Sequence, residues 1–481
     1  MVTGACAPDS ARAPELATWP DPDSTVAWQS WGHAAFDSAR SRDVPVLLYV
    51  SGPGCGGLFA GDEGVAAWNA ETRFLPVRID PERQPHVARR YAPAGCPSIS
   101  VLDSSGREVV RATDIPADNV TRLLTRIHHH RRQDPSRLRV PPPPAAVRRH
   151  RLSAASVHAA VVSDYDERFG GFGGPHKFPE PQVIAFLQAW EGRRAEPEAG
   201  RMARRSLDAL LASPLWMPRG VLSYSHTPDW TTPRREMSGA AQAGLLRVLA
   251  ASDSSSHRKA AGTLFEILRR DWYDEDRGVF RTRRLRASDG RWWSDPTVYS
   301  GDNLLLIRAL LGTGAALDRQ AAAGETAAAA GGFLLRECLD ADGRVRRDDG
   351  PEAAAGLLSD QMLASLAFGD LARHSGRGDF ADAARKALGW ADRHLWDETA
   401  GAYADAPDPA APEAWPRRYA LDDDGRRPAG QALAVEALLA AGEADRARRI
   451  LEGLRYPVPP ARPQASMATQ LLRLEDGAEP R

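Results

Sequence analysis

The chain has 481 residues, a formal net charge of -1 and 43% hydrophobic residues. That suits two or three domains with sizeable cores, and so balanced a charge gives no reason to expect nucleic acid or an anionic membrane as partner. No stretch approaches about 18 uninterrupted apolar residues, and Met1 to Ala17 lacks a basic stretch followed by an apolar core, so neither a membrane-spanning helix nor a signal peptide is expected. The four cysteines, Cys6, Cys55, Cys96 and Cys338, are too few and too scattered for a disulfide scaffold or a zinc site. They fit a reducing, cytoplasmic setting, and no metal or other cofactor is expected.

In chain order, Val44 to Val50 reads VPVLLYV, a short apolar run of strand type that enters the glycine-rich turn Ser51-Gly52-Pro53-Gly54-Cys55-Gly56-Gly57. Val65 to Asn69 reads as a helix, Phe74 to Asp80 as a second buried strand and Gln84 to Tyr91 as a helix. Gly95-Cys96-Pro97-Ser98 leads into a short strand, Ile99 to Leu102. A turn at Asp103 to Gly106, a strand at Val109 to Thr113 and a helix at Asp118 to His128 complete a β-α-β-α-β-β-α order. Such an order, with a cysteine on the turn after the first strand, resembles the thioredoxin superfamily. More closely, it resembles the thioredoxin-like half of the spermatogenesis-associated, bacterial YyaL-type proteins. The matching residues are Trp28-Gln29-Ser30-Trp31-Gly32 with Phe36, the Pro45-led strand, Cys55, Pro76-Val77 with Asp80 and Arg83, and Cys96-Pro97. The resemblance implies a cis peptide before Pro97, as a structural element facing the redox turn.

Those relatives resemble each other in a Cys-His-Trp-Cys motif, and here the same positions hold Cys55-Gly56-Gly57-Leu58. Disulfide exchange needs a second thiol to resolve the mixed disulfide, and Leu58 supplies none. Three readings stay open: a monothiol at Cys55 that meets a thiol partner, a Cys55–Cys96 pair if the two Cα atoms lie within roughly 7 Å, and a retired redox site kept as a folding or docking module.

Four consecutive prolines, Pro141 to Pro144, follow the basic helix end Ile127 to Arg132 and predict a stiff linker. The expected domains are therefore 18–132, thioredoxin-like, and 151–476, with 133–150 between them. From Leu152 on, apolar residues recur at i, i+3, i+4 spacing. The twelve helices expected are 152–164, 181–194, 199–212, 237–252, 256–271, 301–313, 319–338, 357–374, 379–396, 429–441, 443–453 and 465–475. Long connections after the odd-numbered helices repeat a turn, acidic in all but the second, a glycine and a short apolar or aromatic stretch, as in Asp164 to Phe172, Pro218 to Tyr224, Tyr273 to Phe280, Asp340 to Val345 and Trp396 to Tyr403. The Tyr456 to Pro463 connection has lost the pattern. Six helical hairpins with their long loops on one rim describe an (α/α)6 toroid.

Toroids of this kind resemble six-hairpin glycosidases and N-acylglucosamine 2-epimerases, and the YyaL-type resemblance continues through this half. It is carried by Gly170 to Gly174 with Lys177-Phe178-Pro179, by Asp229-Trp230, Pro233, Glu236 and Gln242, and by Asn303, Asp360 and Pro428 with Gly430. A small-molecule or carbohydrate ligand in the toroid is what this implies. Glycoside hydrolysis needs paired carboxylates about 5–9.5 Å apart, and the candidates on the long-loop rim are Asp229, Glu236 and Asp360. Lys177, Trp230, Arg234 and Asn303 complete the candidate ligand contacts, with Trp292, Trp293 and Tyr299 as further stacking faces. The relatives' Pro-His-Phe-Glu-Lys is Pro233-Arg234-Arg235-Glu236-Met237 here, and Ala241 stands where they carry an acid. Arginine is no general base, so His176 and His226 are the candidates for that part. Changes in both candidate centres leave a third reading, a non-catalytic binding protein.

Overall fold

The computed structural model describes residues 26–53, 55, 70–92, 95–113, 117–133, 150–287, 290–407, 419, 422–424, 426–454 and 461–475. The expected helix at 65–69, the residues Gly56 to Leu58, the proline linker and most of the Tyr456 to Pro463 connection fall outside them. Contacts divide the described residues into two units, one up to Gln133 and one from His150 onward.

The first unit has the thioredoxin-like α/β fold. Its elements are α1 (His33–Ser41), β1 (Val46–Val50), β2 (Leu75–Ile79), α2 (Pro85–Tyr91), β3 (Ser98–Leu102), β4 (Glu108–Thr113) and α3 (Ala117–Gln133). The sheet order is β2-β1-β3-β4, with β1 and β2 parallel and the other pairings antiparallel. Side chains alternate along a strand, and β1 shows the result. Val46, Leu48 and Val50 pack with Phe36, Val87 and Tyr91, while Leu47 and Tyr49 pack with Val120, Leu124 and Ile127. The apolar run is continuous because helices cover both faces. The helix α1 was not expected; it buries only Ala35, Phe36 and Ala39, too short a stripe to stand out by period.

The second unit is the expected toroid. Its helices are α4 (Ala154–Ser163), α5 (Pro181–Arg194), α6 (Pro197–Ala212), α7 (Gly239–Ala250), α8 (Ser255–Ile267), α9 (Ser300–Gly314), α10 (Gln320–Glu337), α11 (Leu358–Ser375), α12 (Gly378–His394), α13 (Gly430–Ala440), α14 (Ala444–Gly453) and α15 (Ala465–Glu475). Contacts run α5–α7–α9–α11–α13–α15 and back from α15 to α5, which closes an inner ring. Each inner helix packs on its outer neighbour, and α15 also packs on α4. Inner helices such as α13 and α9 bury most of their residues: eight of the eleven in α13 and twelve of the fifteen in α9. Outer helices such as α14 and α12 keep one apolar face.

The recurring loop motif has a physical cause. Its acid accepts backbone N–H groups inside its own turn: Asp166 Oδ1 from Arg168 and Phe169 at 2.9 and 3.0 Å, and Asp397 Oδ1 from Thr399 and Ala400 at 2.9 and 3.0 Å. The two short strands that flank the turn form miniature hairpins, for instance Tyr273–Asp274 with Val279–Phe280 and Trp396–Asp397 with Ala402–Tyr403. A buried amide at the start of the next inner helix then clips each of the last four hairpins. Gln242 exchanges two hydrogen bonds with the backbone of Val221, Asn303 does so with Phe280, and Gln431 with Tyr403. Gln361 accepts from Val345 N–H and donates to Gly343 C=O. The acidic residues of the repeat are turn formers, and the amides satisfy hairpin backbone that water does not reach.

Candidate functional site

In the thioredoxin-like unit the turn after β1 brings Cys55 to Cys96. The two form a disulfide with a Cα–Cα separation of 5.4 Å, and the Cys96–Pro97 peptide is cis. Cys55 is buried and Cys96 half-buried. The monothiol reading of Cys55 is corrected: its sulfur is held by a second cysteine 41 residues on in sequence, and not by one at the position of Leu58, three residues on. Cys338 is buried, and burial pushes its thiol up to about 11, which leaves it unreactive.

The toroid candidates are placed as follows. Lys177 is fully buried; its ammonium sits 2.8 Å from Asp166 and donates to Gly173 C=O, tying the first hairpin to itself. Trp230 is buried, donates its indole N–H to Phe169 C=O, and packs so closely that a Cβ on Gly171 would lie 2.6 Å from its ring. Asn303 is the hairpin clip already described. Asp229 is exposed and accepts from the hydroxyls of Thr227 and Thr231 at 2.6 and 2.7 Å; those bonds hold its carboxyl below the usual range. Glu236 opens a short strand, Glu236–Ser238, with Arg283 3.9 Å away. Asp360, in the first turn of α11, is fully buried against Arg347 at 2.9 Å, and burial pushes its carboxyl up. No hydrogen bond or ion pair joins Asp229, Glu236 and Asp360 to one another among the described residues. Arg234 donates its backbone N–H to Tyr224 C=O. Beside it the exposed rings of His176 and His226 stand 5.8 Å apart, next to those of Tyr224 and Phe178. Tyr299 is buried with its hydroxyl on Asp295, and Trp292 and Trp293 are half-buried on the strand Trp292–Ser294.

Two constellations were not anticipated. The first surrounds the N-terminal ends of the inner helices. Asp302 of α9 pairs with Arg427 at 2.7 Å, and Arg427 with Asp424 at 3.1 Å. Arg462 lies 2.7 Å from Asp164 and 3.4 Å from Glu180. Asp423 accepts from Ser466 N–H, Ser466 hydroxyl and Ala429 N–H, bracketing the starts of α13 and α15. Burial pushes Glu180 up and Asp423 up to about 8, whereas for Asp424 burial is outweighed by Arg427 and Arg426, and its carboxyl stays low. Neighbouring carboxyls with opposite preferences are the raw material of acid–base chemistry. The Asp422-Asp423-Asp424 run was a sequence signal that went unused.

The second is the toroid axis itself, a cavity of about 1050 Å3 between the inner helices. Pro181, Gln182, Pro428 and Ser466 line it at the helix N-terminal end, next to the carboxyl ring. Deeper down it is lined by Arg193, Arg247, Arg308, Arg373, Arg473, Asp370, Glu436 and His374. Arg308 bridges Asp370 at 2.9 Å and Glu436 at 3.0 Å. Burial would raise Glu436, but Arg308 and Arg473 outweigh it and hold the carboxyl well below its ordinary value. The sequence signal here is a lone charge on an otherwise uncharged buried helix: Arg247 in GAAQAGLLRVLA and Glu436 in GQALAVEALLA. Among the described residues no group of three or more His, Cys, Asp or Glu side chains is placed to hold a metal, and no helix is long and apolar enough to cross a membrane.

Comparison with known proteins gives two kinds of likeness. Spermatogenesis-associated protein 20 from Homo sapiens is 26% identical over 253 residues, 44% of this chain and 32% of the human protein. The Rattus norvegicus protein is 26% identical over 222 residues, 38% of this chain and 28% of the rat protein. The matches thus span about a third of the length of these curated relatives. Among solved structures, D-mannose isomerase superposes with a TM-score of 0.53 at 12% identity, over 66% of this chain and 95% of that one. Cellobiose 2-epimerase from Spirochaeta thermophila also reaches 0.53, at 16% identity, over 67% of this chain and 94% of that one. No family model matches the chain.

Proposed function

We propose that this chain, one of the proteins that fuse a thioredoxin-like domain to a toroid, binds a polar small molecule of the carbohydrate class along the toroid axis. The observation that carries the reading is the cavity of about 1050 Å3 enclosed by the inner helices, at the upper end of ordinary small-molecule pockets of about 300–1,000 Å3. D-mannose isomerase and cellobiose 2-epimerase, with the same fold, are named for sugars. Asp229 is spent on two threonines of its own loop, and Asp360 on an arginine in the interior. Hydrolysis through Asp229, Glu236 and Asp360 is therefore the weaker reading. Acid–base work, where there is any, falls to the carboxyl ring at the cavity's end, with Asp423 as the proton-holding member and Asp424 as the ionised one.

Gly312 supplies the test. It lines the cavity, and a Cβ built on it meets nothing within 4 Å, so Gly312→Trp fills the lumen without a clash at Cβ. Titration calorimetry of the full chain with D-mannose, D-glucose and cellobiose is expected to give binding that Gly312→Trp abolishes at an unchanged melting temperature. Equal binding by wild type and variant would sink the axial site.

The Cys55–Cys96 pair favours a second activity, thiol–disulfide exchange with a dithiol partner. An incoming thiolate attacks the half-buried Cys96 sulfur, the Cys55–Cys96 bond breaks, and Cys55 leaves as thiolate. The partner's second thiol then resolves the mixed disulfide, so the partner is oxidised and both cysteines are reduced. Incubation with thiol-labelling reagent and a dithiol reductant, read by mass, is expected to show two labels gained together at Cys55 and Cys96.

A further inference from the structure

We propose that the lumen of the toroid is an anion site, and that Arg247 is the residue that receives a carboxylate or phosphate carried by the ligand. This rests on the axial-binding reading and names the ligand's charge. Five arginines line the cavity against two carboxylates. Both carboxylates are already shared. Asp370 serves Arg308 and Arg373, and Glu436 lies 3.0 Å from Arg308 and 3.6 Å from Arg473. Neither forms an ion pair with Arg247. It sits on the ninth position of α7, one helical step from Gly244 and Ala251 on the stripe that faces the axis, and its side chain is solvent-accessible. Among the described residues it makes no side-chain hydrogen bond or ion pair.

A guanidinium held inside a protein cavity without a hydrogen-bonded counter-charge is costly. Here burial lowers the proton affinity of Arg247 and the nearby Arg308 and Arg473 lower it further, while Glu436 and Asp370, neither of them in an ion pair with it, raise it by less than that. Those two arginines cannot serve as its partners. A bound oxyanion would relieve the repulsion and engage the planar donor fork of Arg247, whose geometry suits carboxylate and phosphate alike. A neutral sugar offers the fork hydroxyls only. The lumen therefore selects for charge before it selects for sugar identity.

The experiment is titration calorimetry of the full chain with three probes that share a ring: D-glucose, D-glucuronate and D-glucose 6-phosphate. Wild type is expected to bind at least one charged probe about tenfold or more tightly than glucose, the worth of a charge-assisted hydrogen bond. Added salt is expected to shrink that preference, and the tighter of the two charged probes names the anion. In Arg247→Gln the preference for the charged probe over glucose is expected to collapse to within about threefold. Arg247→Lys, which keeps the charge but not the fork, is expected to fall between; it also reports on the site should Arg247→Gln melt early. Equal affinities of glucose and the charged probes in wild type overturn the anion inference and leave the axial reading standing. A preference that persists in Arg247→Gln overturns the assignment of Arg247. Absence of binding by all three probes overturns the axial reading, and the anion site with it.

Discussion

Asn303 offers the sharpest contest between a ligand contact, as the sequence suggested, and a structural clip. Its buried amide accepts from Phe280 N–H at 2.9 Å and donates to Phe280 C=O at 3.0 Å and Tyr299 C=O at 3.1 Å. Leucine keeps the branch at Cγ and removes every one of these bonds. Tyr299 C=O retains the N–H of Asn303 itself, but both backbone groups of Phe280 lose their amide partner. At about 1–3 kcal/mol for each of the two buried groups left unsatisfied, and with roughly 1 kcal/mol returned by the added apolar surface, Asn303→Leu is expected to cost about 1–5 kcal/mol. An unfolding entropy of about 2.1 cal/mol/K per residue, over roughly 325 residues, converts this to a fall of about 1.5–7 °C. Scanning calorimetry of the full chain reads it. Asn303→Asp keeps the acceptor for Phe280 N–H but sets a carboxylate against the two carbonyl oxygens the amide had served, so it is expected to melt no higher than the leucine variant. A leucine variant that melts within about 1 °C of wild type would refute the clip. Loss of sugar binding at an unchanged melting temperature would restore the ligand contact in its place.

Three further outcomes are expected. Cys96→Ser frees Cys55, so alkylation without reductant gains a label that wild type acquires only after reduction; equal labelling of the two unreduced proteins would contradict the pair. Because burial raises Asp423 to about 8 in the folded chain, the folded state holds that proton more tightly than the unfolded one. The stabilisation is full below an ordinary carboxylate pKa of about 4 and is lost as pH climbs towards 8. Asp423→Asn, which cannot ionise, is thus expected to gain on wild type between pH 5 and pH 8 in paired thermal melts, and a pH-independent difference would count against the buried acid. Gly171→Ala, at φ +78° with its new Cβ 2.6 Å from the Trp230 ring, combines a left-handed backbone penalty of about 1–2 kcal/mol with displacement of that ring. A loss of at least about 2 kcal/mol is expected in urea unfolding, and a wild-type midpoint would show that Trp230 is not locked there.

Local pattern was enough for much of this molecule. All twelve toroid helices lie where apolar spacing put them, because each must bury a stripe whose period is written in its own residues. The acid-turn-glycine repeat was legible for the same reason: Asp397 and Gly401 do their work within a single turn. The long-loop connections gave the toroid, and the order of strands gave the thioredoxin-like half.

Roles in the candidate sites were a different matter, since a carboxylate's chemistry depends on what stands beside it. Asp229, Glu236 and Asp360 looked alike as acids. One ended on two threonines of its own loop, one on a short strand near Arg283, and one in the interior against an arginine 13 residues back in sequence. The ionic network on the axis joins Arg308 to Glu436 across 128 residues, and Asp302 meets Arg427 across 125. Cys55 finds Cys96 only because β3 runs beside β1 and returns the residue before Pro97 to the turn. Residue types and their periods thus determined which segments form helices and strands and which face each buries. Only the closure of the ring and the pairing of the strands decided which distant charges meet, and so left Arg247 without a partner in an open lumen, because the field at a side chain is set by neighbours in space.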